Sequence, residues 1–301
     1  MTQPRRALIT GIHGFTGRYM AADLRAGGYE VFGIGTRPAD ADAHYRQLNL
    51  DDLDGLKRLL AEVQPDIVVH LAARAFVGDG AADAFYQVNV VGTRHLLEAI
   101  AYSGKIPDCI LIASSANVYG NAPFPVLTEH TPAEPANDYA VSKLAMEYVV
   151  KLWQPQLPIV IARPFNYTGV GQSSAFLLPK IVAHFRQRAA RIELGNLDVW
   201  RDFSDVRAVV QAYRRLLEVR PLGETVNVCS GTTHSLREII EMCSVLTGHR
   251  LQVDVNPQLV RANEVRELRG SHSRLLALVP GWQTPPLAQT LAWMLADGNG
   301  A

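Results

Sequence analysis

Three kinds of signal are missing from this 301-residue chain: a long apolar run, paired cysteines and a surplus of either charge. No uninterrupted apolar stretch approaches the ~20 residues that a membrane-crossing helix needs. Met1-Thr-Gln-Pro-Arg-Arg6 leads into a strand pattern and not the apolar core of a signal peptide, so the expected location is the cytoplasm, with no membrane partner. Cys109, Cys229 and Cys243 are odd in number, far apart and without a C-x-x-C pair, which argues against a disulfide framework or structural zinc. They read as reduced, mostly buried thiols. The nine histidines are scattered without metal-ligand spacing, and no metal is expected. Balanced charge, 29 basic against 29 acidic residues, gives no reason to expect a nucleic acid or an anionic membrane as partner. Any anion must therefore be held locally.

What is present is a large core and a repeating order of elements. With 48% hydrophobic and 19% charged residues, the chain can form one large and one smaller lobe. Ala7–Thr10 reads as a buried strand, followed by Gly11-Ile-His-Gly14-Phe-Thr-Gly17 and a periodic helix, residues 18–26. Further strands are expected at 29–34, 46–51, 66–71, 108–113 and 158–162. Helices are expected at 53–63, 83–102 and 139–153. Alternation of this kind implies an α/β fold with a parallel sheet. The second half is less regular, with helices at 175–188, 206–219 and 235–247, a strand at 225–229 and a closing helix near 287–295. Arg207, Arg214 and Arg215 read as a solvated helix face.

A glycine turn between strand and helix is the setting of a dinucleotide fingerprint. Gly11 suits the tight turn, Gly14 lets backbone approach a pyrophosphate, and Gly17 lets the helix pack on the strand. The helix N-terminus faces the phosphates. After the second strand, Gly35-Thr36-Arg37 stands where an acidic residue would bind both ribose hydroxyls of NAD. A hydroxyl and a guanidinium suit a 2′-phosphate instead, so NADP(H) is favoured and NAD(H) remains possible; the alternative is a surface arginine on a loop.

Tyr139-Ala-Val-Ser-Lys143 puts a phenol and an ammonium on one helix face, since residues i and i+4 are neighbours there. A cation beside a phenol favours the phenolate, which makes Tyr139 a candidate proton shuttle. The same pair also occurs on solvated helices. His70, at the end of its strand, reads as a core histidine more than a catalyst. The small Ala72 and Ala73 let the chain pass close to a ligand.

Gly11-x-x-Gly14-x-x-Gly17, His70-Leu-Ala-Ala73, Ser114-Ser-Ala-Asn-Val-Tyr-Gly120, Tyr139-x-x-x-Lys143 and Arg163-Pro-Phe-Asn166 follow one another in this order. In that combination the chain resembles the extended short-chain dehydrogenase/reductase family, in its nucleotide-sugar branch, over nearly its whole length. The resemblance implies a Rossmann doubly wound parallel sheet, residues 1–165 with 202–230 returning to it, and a smaller mixed α/β C-terminal substrate lobe, residues 166–301, interleaved with the first. It implies that Ser115 hydrogen-bonds the reacting oxygen, that Tyr139 is the acid/base, and that Lys143 holds the nicotinamide ribose and lowers the tyrosine pKa. Cofactor contacts are expected from Gly11, Gly14, Phe15, Thr16, Gly17, Thr36, Arg37, Asn49, Leu50, Leu71, Ala72, Ala73, Asn89, Tyr139, Lys143 and Arg163. Asn166, Arg201, Arg261 and Glu264, with Ser115, would bind a nucleoside-diphosphate sugar, the arginines on phosphate and the glutamate on ribose.

Within that branch, Val226-Asn-Val-Cys-Ser-Gly231, Arg269-Gly-Ser-His-Ser-Arg274 and Gly281-Trp282 are most similar to reductases of GDP-4-dehydro-6-deoxy-mannose, which form GDP-D-rhamnose. GDP-mannose 4,6-dehydratases are close relatives, and fold alone does not choose between them. By that resemblance a dehydratase carries a carboxylate two residues after the catalytic Ser or Thr, where this chain has Asn117. Two more activities are compatible with the motifs: a nucleotide-sugar 4-epimerase, and a non-enzymatic sensor or scaffold that binds NADP. By analogy, helices 83–102 and 139–153 would pair with their copies in a homodimer. Replacing Arg37 by Asp should raise the KM for NADPH more than that for NADH, since only NADPH carries the 2′-phosphate. Equal sensitivity in steady-state kinetics would remove Arg37 from the cofactor site.

Overall fold

The computed structural model describes residues 4–38, 42–75, 82–259 and 266–297. In chain order, β1 (Arg6–Thr10), α1 (Phe15–Ala26), β2 (Glu30–Gly35), β3 (Tyr45–Gln47), α2 (Leu53–Val63), β4 (Ile67–His70), α3 (Asp83–Tyr86), α4 (Thr93–Ala101), β5 (Cys109–Ala113), α5 (Asp138–Trp153) and β6 (Ile159–Pro164) make up the first half. The second half supplies β7 (Asn166–Thr168), α6 (Leu177–Arg186), β8 (Arg191–Leu194), β9 (Trp200–Asp205), α7 (Val206–Val219), β10 (Thr225–Val228), β11 (Thr233–Ser235), α8 (Leu236–Thr247), β12 (Gln252–Val255), β13 (Glu267–Leu268), α9 (Ser273–Leu278) and α10 (Leu287–Ala296).

Seven strands in the order β10-β6-β5-β4-β1-β2-β3 form one parallel sheet. The middle strands are apolar at nearly every position because helices cover both faces. Met20, Leu24, Val209 and Leu216 of α1 and α7 pack on one side. Leu56, Leu60, Leu96, Met146 and Val150 of α2, α4 and α5 pack on the other. Strand order reverses between β1 and β4, and a doubly wound sheet binds ligands at the carboxyl ends beside such a switch. This is a Rossmann fold.

Three parts differ from what the sequence suggests. The 83–102 segment is not one regular helix: between α3 and α4 the residues Gln87–Gly92 form a π-helical stretch. Its wider turn accompanies the burial of Asn89, as π stretches often do near functional sites. β9, where the sequence pattern marks no strand, lies at the centre of a small sheet with β7, β11 and β13. The third difference is α9, which lies in the second half of the chain yet packs Leu275, together with Val279 and Trp282 beyond it, into the core under the main sheet. There the Trp282 indole donates to the Ala208 carbonyl at 2.9 Å.

The face of α7 is also less solvated than its arginines imply. Arg214 bonds Asp23 of α1 at 2.8 Å and Glu218 at 2.6 Å. Arg207 bonds the buried Asp205 and lies 3.7 Å over the Trp293 ring. Arg215 donates to the Pro280 carbonyl at 3.0 Å. All three cysteines are buried and unpaired.

His70 is a core histidine held in one tautomer. Thr93 Oγ donates to the Asn89 carbonyl, so it accepts from His70 Nε2–H at 2.8 Å. The bare Nδ1 then accepts from Thr10 Oγ at 2.7 Å, while that same oxygen accepts the amides of Leu71 and Ala72. Burial, aided by the Lys143 charge, pushes the imidazole down to about 3. An unfolded histidine titrates near ~6.5, so the stability due to a neutral His70 is complete above that value and is lost as pH falls toward the folded one. Urea midpoints should therefore drop between pH 7 and 4.5. The drop should be smaller in His70→Gln, whose amide can accept from Thr10 and donate to Thr93. Parallel losses in both proteins would assign the acid sensitivity to other groups.

Candidate active site

The glycine turn runs from the end of β1 into α1. Gly17 packs so closely that an added Cβ would lie 2.2 Å from the Gly11 carbonyl oxygen, so only glycine lets the helix start there. Gly14 is the N-cap of α1, and no side chain caps its first turn. A dinucleotide diphosphate fits these residues, because uncapped amides at a helix N-terminus attract anions and Gly14 is exposed. Beside the turn, Tyr45 donates to the Arg37 carbonyl and stacks on His13 at 4.2 Å, while Gln47 donates to the Thr36 carbonyl. Arg37 is thus presented from a backbone anchored on both sides.

The same edge collects the other sequence motifs, because β4, β5 and β6 end side by side. Leu71 and Ala72 are pinned through their amides to Thr10. Asn49 is exposed beside Asp51, whereas Leu50 is buried, with its carbonyl accepting from His95. Ser115 accepts the Asn117 amide at 3.2 Å and so starts the 3-10 turn Ala116–Tyr119. Asn137 caps α5 by accepting the Ala140 amide at 2.9 Å, which places Tyr139 in its first turn. Ser115 is near enough to the Tyr139 phenol to favour its ionised form.

Electrostatics correct one expectation. Lys143 does not bring the Tyr139 phenol down: burial dominates and pushes it up to about 12, against the opposing pull of Ser115. Lys143 is itself buried, donates to the Ala113 carbonyl at 2.7 Å and is pushed down to about 8 by burial, with Glu147 acting in the opposite sense. At neutral pH the arrangement is a protonated phenol beside a serine hydroxyl, with a charged lysine one helical turn away. That set can donate a proton to an oxygen placed between Ser115 and Tyr139.

Two residues expected to touch the cofactor do something else. Asn89 has no exposed surface, and its amide accepts from the Arg74 N–H and donates to the Arg74 carbonyl and to Ser142 Oγ. It props the backbone at Arg74. Arg163 is buried in a two-pronged ion pair with Glu147 at 2.8 and 2.6 Å, and its third nitrogen donates to Tyr119 Oη at 2.9 Å. Ser114 Oγ bonds Glu147 as well, and Tyr119 donates to Asn227 Oδ1 at 2.7 Å. No motif in the sequence points to this cluster, although Glu147 continues the Tyr139, Lys143 stripe by another four residues.

On the substrate side, Asn166 begins β7, and its amide donates to the Asp202 carbonyl at 3.4 Å. Asp202, with no exposed surface, gathers Ser230 and Gly231 through hydrogen bonds to both carboxylate oxygens. Arg201 donates to the Trp200 and Arg266 carbonyls at the rim. Arg261 and Glu264 lie outside the described residues. Three contacts tie the glycine loop and α1 to this side: Thr16 with Tyr167 at 2.8 Å, Arg18 with the Gly171 carbonyl and Tyr19 with the Val170 carbonyl. Phe15 stacks on Tyr167 with ring centres 6.1 Å apart.

The sequence profile described as GDP-mannose 4,6 dehydratase matches residues 8–285. The chain belongs to that family. Among its relatives, the GDP-6-deoxy-D-mannose reductase of Pseudomonas aeruginosa is 36% identical, covering 99% of this chain and 97% of that one. The GDP-6-deoxy-D-talose 4-dehydrogenase of Aggregatibacter actinomycetemcomitans is 33% identical, with 90% of each chain covered. RMD from Pseudomonas aeruginosa, solved with NADPH, superposes with a TM-score of 0.84 at 34% identity over 97% of each chain. A Burkholderia cenocepacia chain provisionally ascribed to the epimerases superposes with a TM-score of 0.92 at 51% identity over 98% of each. The protein is accordingly an extended short-chain dehydrogenase/reductase that uses a nicotinamide cofactor.

Tyr139→Phe removes the phenol hydroxyl and little else. Turnover should fall by ~10²-fold or more while cofactor affinity stays nearly unchanged. Lys143→Ala should weaken both. Single-turnover rates and cofactor titrations measure the two effects, and a Phe variant retaining most of its activity would require another proton source.

Proposed function

We propose that this member of the family reduces the C4 ketone of GDP-4-dehydro-6-deoxy-D-mannose to GDP-D-rhamnose, with NADPH preferred over NADH. The observation that carries the reading is the complete Ser115, Tyr139 and Lys143 set with an exposed amide, Asn117, on the adjoining turn. A 4,6-dehydratase must abstract a proton at C5 and expel water from C6, which calls for an additional acid/base carboxylate. Asn117 occupies the position where the resemblance puts that group, and an amide does not exchange a proton near neutrality. Simple ketone reduction has no such requirement.

NADPH, when bound, supplies the hydride that reaches C4. Ser115 hydrogen-bonds the ketone oxygen and stabilises the charge that develops on it. Tyr139 delivers the proton to the same oxygen, a direction suited to a phenol that stays protonated at neutral pH. Lys143 holds the nicotinamide ribose. Arg37 meets the 2′-phosphate from the anchored end of β2. Asn166, Arg201, Arg261 and Glu264 are assigned to the nucleoside diphosphate, the arginines because a guanidinium binds phosphate oxygens in pairs.

A homodimer and a cytoplasmic setting complete the proposal. Val141, Tyr148 and Leu152 recur along one exposed stripe of α5, and Tyr102 lies exposed beyond α4; covering this apolar surface by a second copy supports the dimer. Three reduced thiols fit a reducing compartment.

The likeness to a provisional epimerase keeps a second reading in view. An epimerase recycles its cofactor, whereas a reductase consumes one NADPH per sugar. With GDP-4-dehydro-6-deoxymannose, NADPH loss should match product formation, and nuclear magnetic resonance should identify the 6-deoxy-manno sugar. A 6-deoxy-talo product, its C4 epimer, would keep the reduction and overturn the rhamnose assignment. With GDP-mannose and NADP no 4-keto-6-deoxy sugar should form; water elimination would overturn the reductase reading.

A further inference from the structure

Glu147 has 1% of its surface exposed and stands one helical turn beyond Lys143 on α5. Its carboxylate accepts two bonds from Arg163 of β6 and one from Ser114, the residue before Ser115. Arg163 carries the connection on to Tyr119, which closes the turn that Ser115 starts. Three pieces of the site, the Ser115 turn, β6 and the Tyr139 helix, are thereby fastened to a single carboxylate. Lys143 makes no ion pair with a carboxylate among the described residues; its ammonium bonds the Ala113 carbonyl and has Glu147 as the neighbouring negative charge.

We infer that Glu147 is a positioning residue for the reaction, locking the Ser115 turn to the Tyr139 helix through Ser114 and Arg163 while supplying the counter-charge that keeps Lys143 an ammonium. This rests on the proposed role of Lys143 at the cofactor ribose. Among the described residues, the titratable and charged groups around Lys143 are Tyr139 and Glu147 on its own helix, His70 on β4 and Arg163 on β6. His70 is neutral over the working range and Tyr139 is protonated. The π-helical stretch and α4 bring the uncharged Asn89 and Thr93 to Ser142 and His70 beside it. Lys143 titrates near about 8. Removing an opposite charge at close range shifts such a group by ~1–3 units, here downward.

NADPH dissociation constants, measured by fluorescence titration from pH 6 to 9.5, read this charge without turnover. In the natural protein, affinity should weaken as pH rises through about 8. In Glu147→Gln the midpoint should move at least ~1 unit toward acid. A buried arginine left without its partner is strongly destabilising, and the Gln variant can fold poorly for that reason. The double variant Glu147→Met with Arg163→Met leaves no unpaired charge; because it also removes the Arg163 cation, its midpoint should move toward acid by less than that of Glu147→Gln. Ser114→Ala keeps the charge and removes one tie, so it should lower kcat several-fold with the midpoint in place.

A midpoint unchanged in either folded Glu147 variant, or displaced equally by Ser114→Ala, would overturn the inference. Failure of the underlying reading looks different. If Lys143→Ala left the wild-type pH dependence of NADPH binding intact, Lys143 itself would lose its place at the cofactor.

Discussion

A carboxylate with almost no access to water has to find its partners inside the protein, and Glu147 finds two at the one place where they organise a site. An ionised carboxylate in such surroundings is tolerated only when its lone pairs are filled. Filling them requires Arg163 at the end of β6 and Ser114 at the end of β5, with α5 laid across both. The geometry of the reactive groups follows from that satisfaction, since Ser115 comes directly after Ser114 and Tyr139 lies two turns before Glu147 on the same helix. A buried ion pair adds little net stability over apolar packing, but it penalises alternative arrangements in which either charge is left alone.

Desolvation then sets the protonation states. It raises the Tyr139 phenol, lowers the Lys143 ammonium and keeps His70 neutral. The three shifts have one cause, since each charged form is disfavoured away from water, and opposite signs, since the phenol is neutral when protonated and the other two are charged. A protonated phenol beside a hydroxyl suits the reductive direction, where an oxygen gains a proton. Neutral His70, in one tautomer, ties β1 to the first residue of α4 and through Thr10 holds the amides of Leu71 and Ala72 beyond β4.

The two lobes are joined at the cleft by polar contacts more than by a hinge-like linker. Thr16, Arg18 and Tyr19, on and after the glycine turn, reach Tyr167, Val170 and Gly171. Asp205 caps α7, pairs with Arg207 and accepts from Thr290 of α10, so the end of the small sheet, a helix of the main layer and the last helix meet at one buried carboxylate. The glycine turn and the segment after β6 are therefore held together by a few side chains.

Much of this was legible in the residues alone. Gly11, Gly14 and Gly17 between a strand and a helix, the alternation of apolar runs with periodic helices, and Tyr139 four residues before Lys143 are local patterns, governed by backbone sterics and helix geometry, which the chain carries at short range. They determined the parallel α/β fold and the reactive set. What only the tertiary structure decided depends on which distant groups share a buried volume. Arg163 and Asn89 look like cofactor ligands by position, yet one is taken by Glu147 and the other by Arg74 and Ser142. Lys143 ought to lower the phenol by its spacing, yet burial raises it and the opposing pull comes from Ser115. β9, with Trp200 and Phe203 three residues apart and polar residues between, has no alternation to declare a strand until β7, β11 and β13 flank it. Partner choice and desolvation are properties of the assembled interior, and a linear sequence does not state which of its charged residues will lie side by side away from water.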